Sequence, residues 1–372
     1  MDVLTLVLFV IGIVLLIVGA ELLVRGASNL ALAIGISPLV VGLTVVSFGT
    51  SAPELAVSIQ GAFAGQKEVD VALGNVIGSN IMNILFVLGL SALIAPLAIS
   101  MQLIRMDVPL MIGISFIMWL MALNGRVDRI DGFILAVGIV GYVAWTIYKS
   151  RQEQQDSQTA DSTEEEQNAR ANKGFVTIVQ NVIFVVIGLV FLVTGANWLL
   201  NGAVTIAEYL GISSLIIGLT IVAVGTSLPE VATSVIGVLR GERDIVVGNV
   251  IGSNIFNILA VLGFASLLAP NGITVPENAL RFDIPIMVAV ALVCFPVFFT
   301  GYMMRRWEGF LFICYYMLYT TFLVLQAIKS PMLEPFSSVM IYLVLPLTVI
   351  LLVALTLSQV YKLRRNRAQR NV

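Results

Sequence analysis

One unit occurs twice in this chain. Gly42–Gly65 reads GLTVVSFGTSAPELAVSIQGAFAG and Gly74–Gly89 reads GNVIGSNIMNILFVLG, while Gly218–Gly241 and Gly248–Gly263 repeat them as GLTIVAVGTSLPEVATSVIGVLRG and GNVIGSNIFNILAVLG. Aligned without gaps, 13 of 24 positions are identical in the first segment and 14 of 16 in the second. Only duplication explains that, so the fold is built from two copies of one unit. The copied segments also hold most of the polar groups that an otherwise apolar chain cannot hold cheaply.

The solvent follows from composition. With 59% hydrophobic and 11% charged residues over 372 positions, and apolar runs of about 20 residues recurring throughout, the pattern predicts an all-α polytopic membrane protein. Spans are expected at 3–24, 38–64, 70–95, 106–123 and 130–149, then at 175–199, 213–239, 245–269, 283–300 and 307–328, with a last one at 337–360. The first run, Val3 to Leu23, is too long for a signal-peptide core and lacks a basic start, so it reads as a retained helix. A net charge of −2 offers nothing to nucleic acid, and the absence of histidine removes the usual transition-metal ligand. Cys294 and Cys314 fall inside apolar runs and read as small hydrophobes.

These spans divide the chain into a five-helix repeat over 1–149, a linker over 150–174, a second five-helix repeat over 175–328, and an extra helix with a basic tail over 329–372. The linker carries Glu153, Asp156, Asp161, Glu164, Glu165 and Glu166 among Gln, Ser and Asn, the composition of an unfolded tether. A regulatory cation site there is the other reading, but so short a segment cannot fold a domain. Counting Lys and Arg on alternate sides puts fifteen on one side, with the linker and the C-terminus, and five on the other: Lys67, Arg126, Arg129, Arg281 and Lys329. The rich side is cytoplasmic, which leaves the N-terminus outside a plasma (inner) membrane. Because five is odd, the second copy enters the membrane from the opposite face. Inverted repeats with matching interruptions mark transporters, with the binding site near the midplane where the copies meet.

The interruptions are GTSAPE and GTSLPE. Pro53 and Pro229 lack the amide hydrogen that a carbonyl four residues back would use, and Gly49 and Gly225 loosen the same turn. Glu54 and Glu230 fall near the middle of their spans, where a carboxylate is expensive and must face protein or water. The plain alternative is a capping box, since Ser51 and Ser227 lie three residues ahead of the glutamates. In the second segment Asn75, Ser79 and Asn83 share a helix face, as do Asn249, Ser253 and Asn257. Alone, such residues serve as interhelical glue; beside two glutamates they complete an oxygen-only set. With Thr50 and Thr226, the donors suffice for the six to eight oxygens that calcium takes, whereas magnesium rarely accepts an all-protein cage.

These paired motifs closely resemble the two alpha-repeats of the calcium/cation antiporter family, in particular its sodium/calcium exchangers of the prokaryotic type, over about the first 330 residues. The resemblance implies ten helices as two inverted repeats and exchange of sodium for calcium by alternating access, with no cofactor. It implies cation ligands at Thr50, Ser51, Glu54, Ser79, Asn83, Thr226, Ser227, Glu230, Ser253 and Asn257, and carbonyl ligands at Ser47 and Ala223. It also implies that the first and sixth helices, with GAELLVRGA from Gly19 and GANWLLNGA from Gly195, slide to switch access. Partners are then calcium and sodium ions and the lipid bilayer, with no protein partner indicated. The chain departs from the pattern where some members carry Asp and it has Asn257, in its short linker, and in its eleventh span. A calcium/proton antiporter using the same glutamates is the alternative, and a passive channel is disfavoured by the inverted repeats. A hydrolase built on Ser51 or Ser227 lacks a base: there is no His, and no Lys in the spans near either serine.

The charge count generates a first prediction. Single cysteines near Ser157 and Gln369 will be shielded from an impermeant thiol reagent in intact cells, and one near Asn201 will react. Labelling of the linker from outside reverses the orientation.

Overall fold

In the computed structural model, which describes residues 3–64, 66–158, 164–210 and 223–370, the chain is an all-α polytopic membrane protein of two inverted five-helix repeats plus an additional C-terminal helix. The first copy contains α1 (Val3–Ile34), the broken pair α2 (Pro38–Thr50) and α3 (Ala52–Ala64), α4 (Ala72–Ile94), α5 (Leu103–Ala122) and α6 (Arg129–Gln158). The second contains α7 (Glu164–Tyr209), a short turn Ala223–Gly225 followed by α8 (Leu228–Leu239), α9 (Arg243–Leu268), α10 (Ala279–Phe299) and α11 (Arg306–Ala327). The extra helix, α12, spans Leu333–Gln359. Of the expected seventh span, residues 213–222 lie outside the described residues.

Two expectations need correction. Helix α1 does not stop before Arg25 but continues to Ile34; Arg25 is exposed, so its charge does not oblige the helix to end there. Nor is the linker composition free of helix: α6 runs to Gln158 and α7 starts at Glu164. Glu, Gln, Ala and Arg are good helix formers, and Glu164–Glu166 suit the positive end of α7.

The copies interlock by exchange. Strand β1 (Leu97–Ala98), after α4, pairs with β4 (Met303–Met304), before α11; β2 (Arg126–Val127), before α6, pairs with β3 (Ile273–Thr274), after α9. Each antiparallel pair is the image of the other and joins a connection of one repeat to a connection of its mate. The helices follow suit. Gly89 of α4 meets Gly309 of α11, and Gly263 of α9 meets Gly132 of α6. The main core gathers Leu73, Ile77, Ile81 and Leu88 from α4 with Val247, Val250, Ile255 and Leu262 from α9. Helix α9 is buried throughout its apolar window, and α12 nowhere in its own.

Helices α1 and α7 form a separate antiparallel pair whose contact is almost backbone on backbone. Gly12 faces Gly195, Gly19 faces Gly188, and Gly26 faces Asn181 and Val185. A Cβ at Gly19 would stand 2.7 Å from the Leu192 amide and 2.8 Å from the Gly188 carbonyl, so only glycine lets the helices approach this closely. Beyond the glycines, α1 is tied to the α8–α9 turn. Glu21 pairs with Arg240, and Ser28 donates to Glu242 at 2.7 Å.

Gly19→Val therefore strains the pair by about 1–3 kcal/mol, the usual range for overpacking. Thermal unfolding of the purified protein will show a lowered Tm for Gly19→Val. No such loss is expected for Gly113→Ala or Gly141→Ala, where an added Cβ meets open space. Equal behaviour of the three variants would contradict this packing.

Candidate cation site

The site is made by two breaks and two widened turns. Between α2 and α3 the helix axis bends by 44°, with Ser51 at φ −82° and ψ 4°. The counterpart break, ahead of α8, has Ser227 at φ −89° and ψ 9°. Pro53 and Pro229 restart the helices, and Glu54 and Glu230 fall in their first turns. Both α4 and α9 change to π-helical pitch at the residues of interest: the wide stretches are Asn83–Leu88 and Asn257–Leu262. Single π turns inside α-helices recur at functional sites because they shift the register of the face they interrupt.

The capping alternative is not what the structure adopts. Ser227 makes no side-chain cap bond; its hydroxyl reaches across to the other repeat, donating to Glu54 Oε1 at 3.3 Å and lying 3.2 Å from Ser79 Oγ. The Ser51 hydroxyl is buried without a partner. Both serines are thus turned away from their own helix starts and toward the space between the repeats.

A polar lattice crosses that space. Ser79 also donates to Glu54 Oε1 at 3.4 Å. Thr50 Oγ1 donates to Asn249 Oδ1 at 3.1 Å and lies 3.4 Å from Ser253 Oγ, while Thr226 Oγ1 donates to Asn75 Oδ1 at 3.2 Å. Asn75 in turn donates to the Glu54 carbonyl at 3.2 Å, and Asn249 to Thr233 Oγ1 at 3.3 Å. Ser47 spends its hydroxyl on the Gly42 carbonyl at 2.6 Å, and its own carbonyl accepts the Ser51 amide at 3.0 Å. Ala223 opens the short turn before the second break, and its side chain lies outside the described residues.

What the lattice leaves over is more telling than what it satisfies. Glu54 and Glu230 are fully buried. Ser51 Oγ, Glu54 Oε2, both Glu230 oxygens, Asn257 Oδ1 and both amide atoms of Asn83 are buried without a hydrogen-bond partner. Each such group costs about 1–3 kcal/mol when buried unsatisfied, and more when charged. Six of the seven are oxygens, a donor set suited to a hard cation. The duplication is not matched by equal bonding. Glu54 Oε1 is held by two hydroxyls, whereas the hydroxyls of Thr50 and Ser51 beside Glu230 make no hydrogen bond of ordinary geometry to either of its oxygens.

Sequence reasoning aligned Asn75 and Asn249 with the site faces but gave them no task; they orient Thr226 and Thr50. It passed over two further carboxylates, one buried and one half-buried. Asp107 accepts from the Tyr142 hydroxyl at 3.2 Å and Asp283 from Tyr319 at 3.1 Å. The repeated RMDVP and RFDIP segments were the available signal.

A family model described as sodium/calcium exchanger protein matches residues 4–148 and 180–325. The chain is 39% identical over 248 residues to the putative antiporter CaxA of Alkalimonas amylolytica, covering 67% of this chain and 75% of that protein. It is 29% identical over 303 residues to the sodium/calcium exchanger MaX1 of Methanosarcina acetivorans, covering 73% and 85%. A solved structure of the sodium-calcium exchanger NCX_Mj, soaked with 10 mM Na+ and zero Ca2+, superposes with a TM-score of 0.73 at 30% identity, over 89% of this chain and all of that one.

If the two glutamates hold a cation, Glu54→Gln and Glu230→Gln will each fold and each lose the stabilisation that calcium gives the wild type, about 2.7 kcal/mol at a hundredfold excess over Kd. Thermal unfolding with and without calcium measures it. Undiminished stabilisation of either variant removes that residue from the site.

Proposed function

The chain belongs to the sodium/calcium exchanger protein family, and from that premise we propose that this cation antiporter exchanges sodium for calcium by alternating access at a site near the midplane. The observation that carries the proposal is the group of unpartnered buried oxygens around Glu54 and Glu230, on helices broken in matching places. In the proposed site the carboxylates of Glu54 and Glu230, the hydroxyls of Thr50, Ser51, Ser79, Thr226, Ser227 and Ser253, the amide oxygens of Asn83 and Asn257, and the carbonyls of Ser47 and Ala223 take turns at calcium and sodium. No cofactor takes part.

Coupling follows from charge. Two ionised glutamates without cargo make a site too costly to move past apolar gates. One calcium, or a set of sodium ions, neutralises them. Only the loaded site crosses, so the ions exchange without a leak, and their gradients set the direction. The proposed arrangement in the cell is a plasma or inner membrane with the N-terminus outside. Residues 1–149 and 175–328 are the repeats, 150–174 a cytoplasmic linker, and 329–372 the extra helix with a cytoplasmic basic tail.

Asn83 and Asn257 fix the ionic requirement. Each is neutral, where a carboxylate would raise the number of monovalent ions needed to balance the site. Calcium flux into liposomes under a sodium gradient, with potassium omitted from both sides, is therefore expected to run at its full rate. A protein that stalls until potassium is restored overturns the reading of Asn257. Calcium movement that follows a pH gradient with sodium absent identifies a calcium/proton antiporter instead.

A further inference from the structure

We propose that Asn80 is a positioning residue that sets the amide of Asn257 so that its oxygen, not its NH2 group, faces the cargo. The inference rests on the site proposed above and concerns how a neutral residue is made to serve as a ligand there.

An asparagine side chain is ambivalent beside a cation: its Oδ1 attracts and its Nδ2 repels, and the two are nearly the same size. A carboxylate needs no such choice. Asn257 is therefore useful as a ligand only if something decides which way it points.

The decision is traceable to atoms that can only accept. Asn80, buried in α4, places Nδ2 3.4 Å from the backbone carbonyl of Asn254 and 3.6 Å from the thioether sulfur of Met287. Neither neighbour has a hydrogen to give, so the opposite orientation of Asn80 would set oxygen against oxygen and sulfur. With Nδ2 fixed there, Asn80 Oδ1 is turned to Asn257 and accepts from its Nδ2 at 3.0 Å. The NH2 group of Asn257 is thereby engaged. Its Oδ1 is left buried and without a protein partner, at the first residue of the π turn.

The other copy lacks the device, although its sequence is the same. Asn254, the image of Asn80, donates to the Val250 carbonyl of its own helix at 2.7 Å, and both amide atoms of Asn83 are unpartnered. The orienting chain Asn254 carbonyl–Asn80–Asn257 thus runs across the repeat interface in one direction only.

The test is a double-mutant cycle on the apparent calcium KM and kcat of sodium-driven exchange in liposomes. Asn80→Ala in the wild-type background is expected to raise the calcium KM by about tenfold or more, the usual effect of losing an orienting partner of a metal ligand, with kcat changed much less. In the Asn257→Asp background, where two equivalent oxygens need no orienting, the same substitution is expected to change KM by less than about twofold. Asn80→Leu, close to asparagine in volume, replaces the alanine variant if a cavity keeps the latter from folding. An unchanged KM for Asn80→Ala or Asn80→Leu overturns the proposal, as does an equal loss of KM and kcat in both backgrounds, which marks a purely structural residue. Wild-type protein that moves no calcium against sodium is a different failure, that of the exchange reading itself, and it takes this inference with it.

Discussion

Two carboxylates fully buried among the spanning helices, with no ion-pair partner among the described residues, are the constraint on which the rest of the structure depends. Stripping such a charge of water costs several kcal/mol even after relaxation, and a lysine or arginine would be the cheap answer. The chain withholds it. The Glu21–Arg240 and Glu277–Arg281 ion pairs lie at exposed ends, away from both glutamates. The hydroxyls and amides that do surround the glutamates offset part of the cost, and Glu54 Oε2 and both oxygens of Glu230 keep the remainder. On the proposed reading, the missing charge arrives as cargo, and coupling is the consequence of leaving it out of the sequence.

The scaffold divides into parts suited to holding and parts suited to moving. Around the site, α4 and α9 carry interdigitated side chains, and the exchanged strand pairs lock the connections of one repeat to the other. The α1–α7 pair is built differently. Its glycines at Gly12, Gly19 and Gly26, against Gly195, Gly188 and Asn181, give two helices in close contact with few side chains between them. Its apolar cluster joins Ala20, Leu23, Ala27 and Leu192 to Val40, Val41 and Val46 of α2 and to Ile245 of α9. On the proposed alternating-access reading, this closely packed pair is the element that shifts as a unit.

Much of this was legible before any coordinates. Repetition announced the inversion, proline and glycine announced the breaks, and a glutamate in mid-span pointed to the candidate site. Other features left no trace of that kind. The π turns at Asn83–Leu88 and Asn257–Leu262 lie in plain apolar sequence, and nothing in NILFVL or NILAVL distinguishes a wide turn from an ordinary one. The capping box was a fair local reading of Ser51 and Ser227, but a local reading cannot know that Glu54 and Ser79 of the other repeat compete for the Ser227 hydroxyl. Asn80 is harder still. Its twin, Asn254, sits in an identical GNVIGSN segment and bonds to its own helix instead. Sequence identity between the copies hides a difference that exists only in three dimensions.

That difference is informative about energy. An antiporter working as proposed needs two arrangements of comparable stability, since a gap much beyond a few kcal/mol would strand it on one side. Exchanging the roles of two inverted copies supplies the second arrangement, and the 14 of 16 identities in the second segment bring the two close in energy around the candidate site. What tuning there is must come from the positions where the copies differ. In the most alike segment only Met82 against Phe256 and Phe86 against Ala260 differ, and both copies use the larger residue at a contact: Phe256 lies 6.0 Å from the Phe48 ring, and Phe86 lies 5.3 Å from Tyr316. Polar residues of the segment are shared, so the chemistry of the cargo is common to both arrangements. Within this segment, the apolar exceptions are the differences available to favour one arrangement.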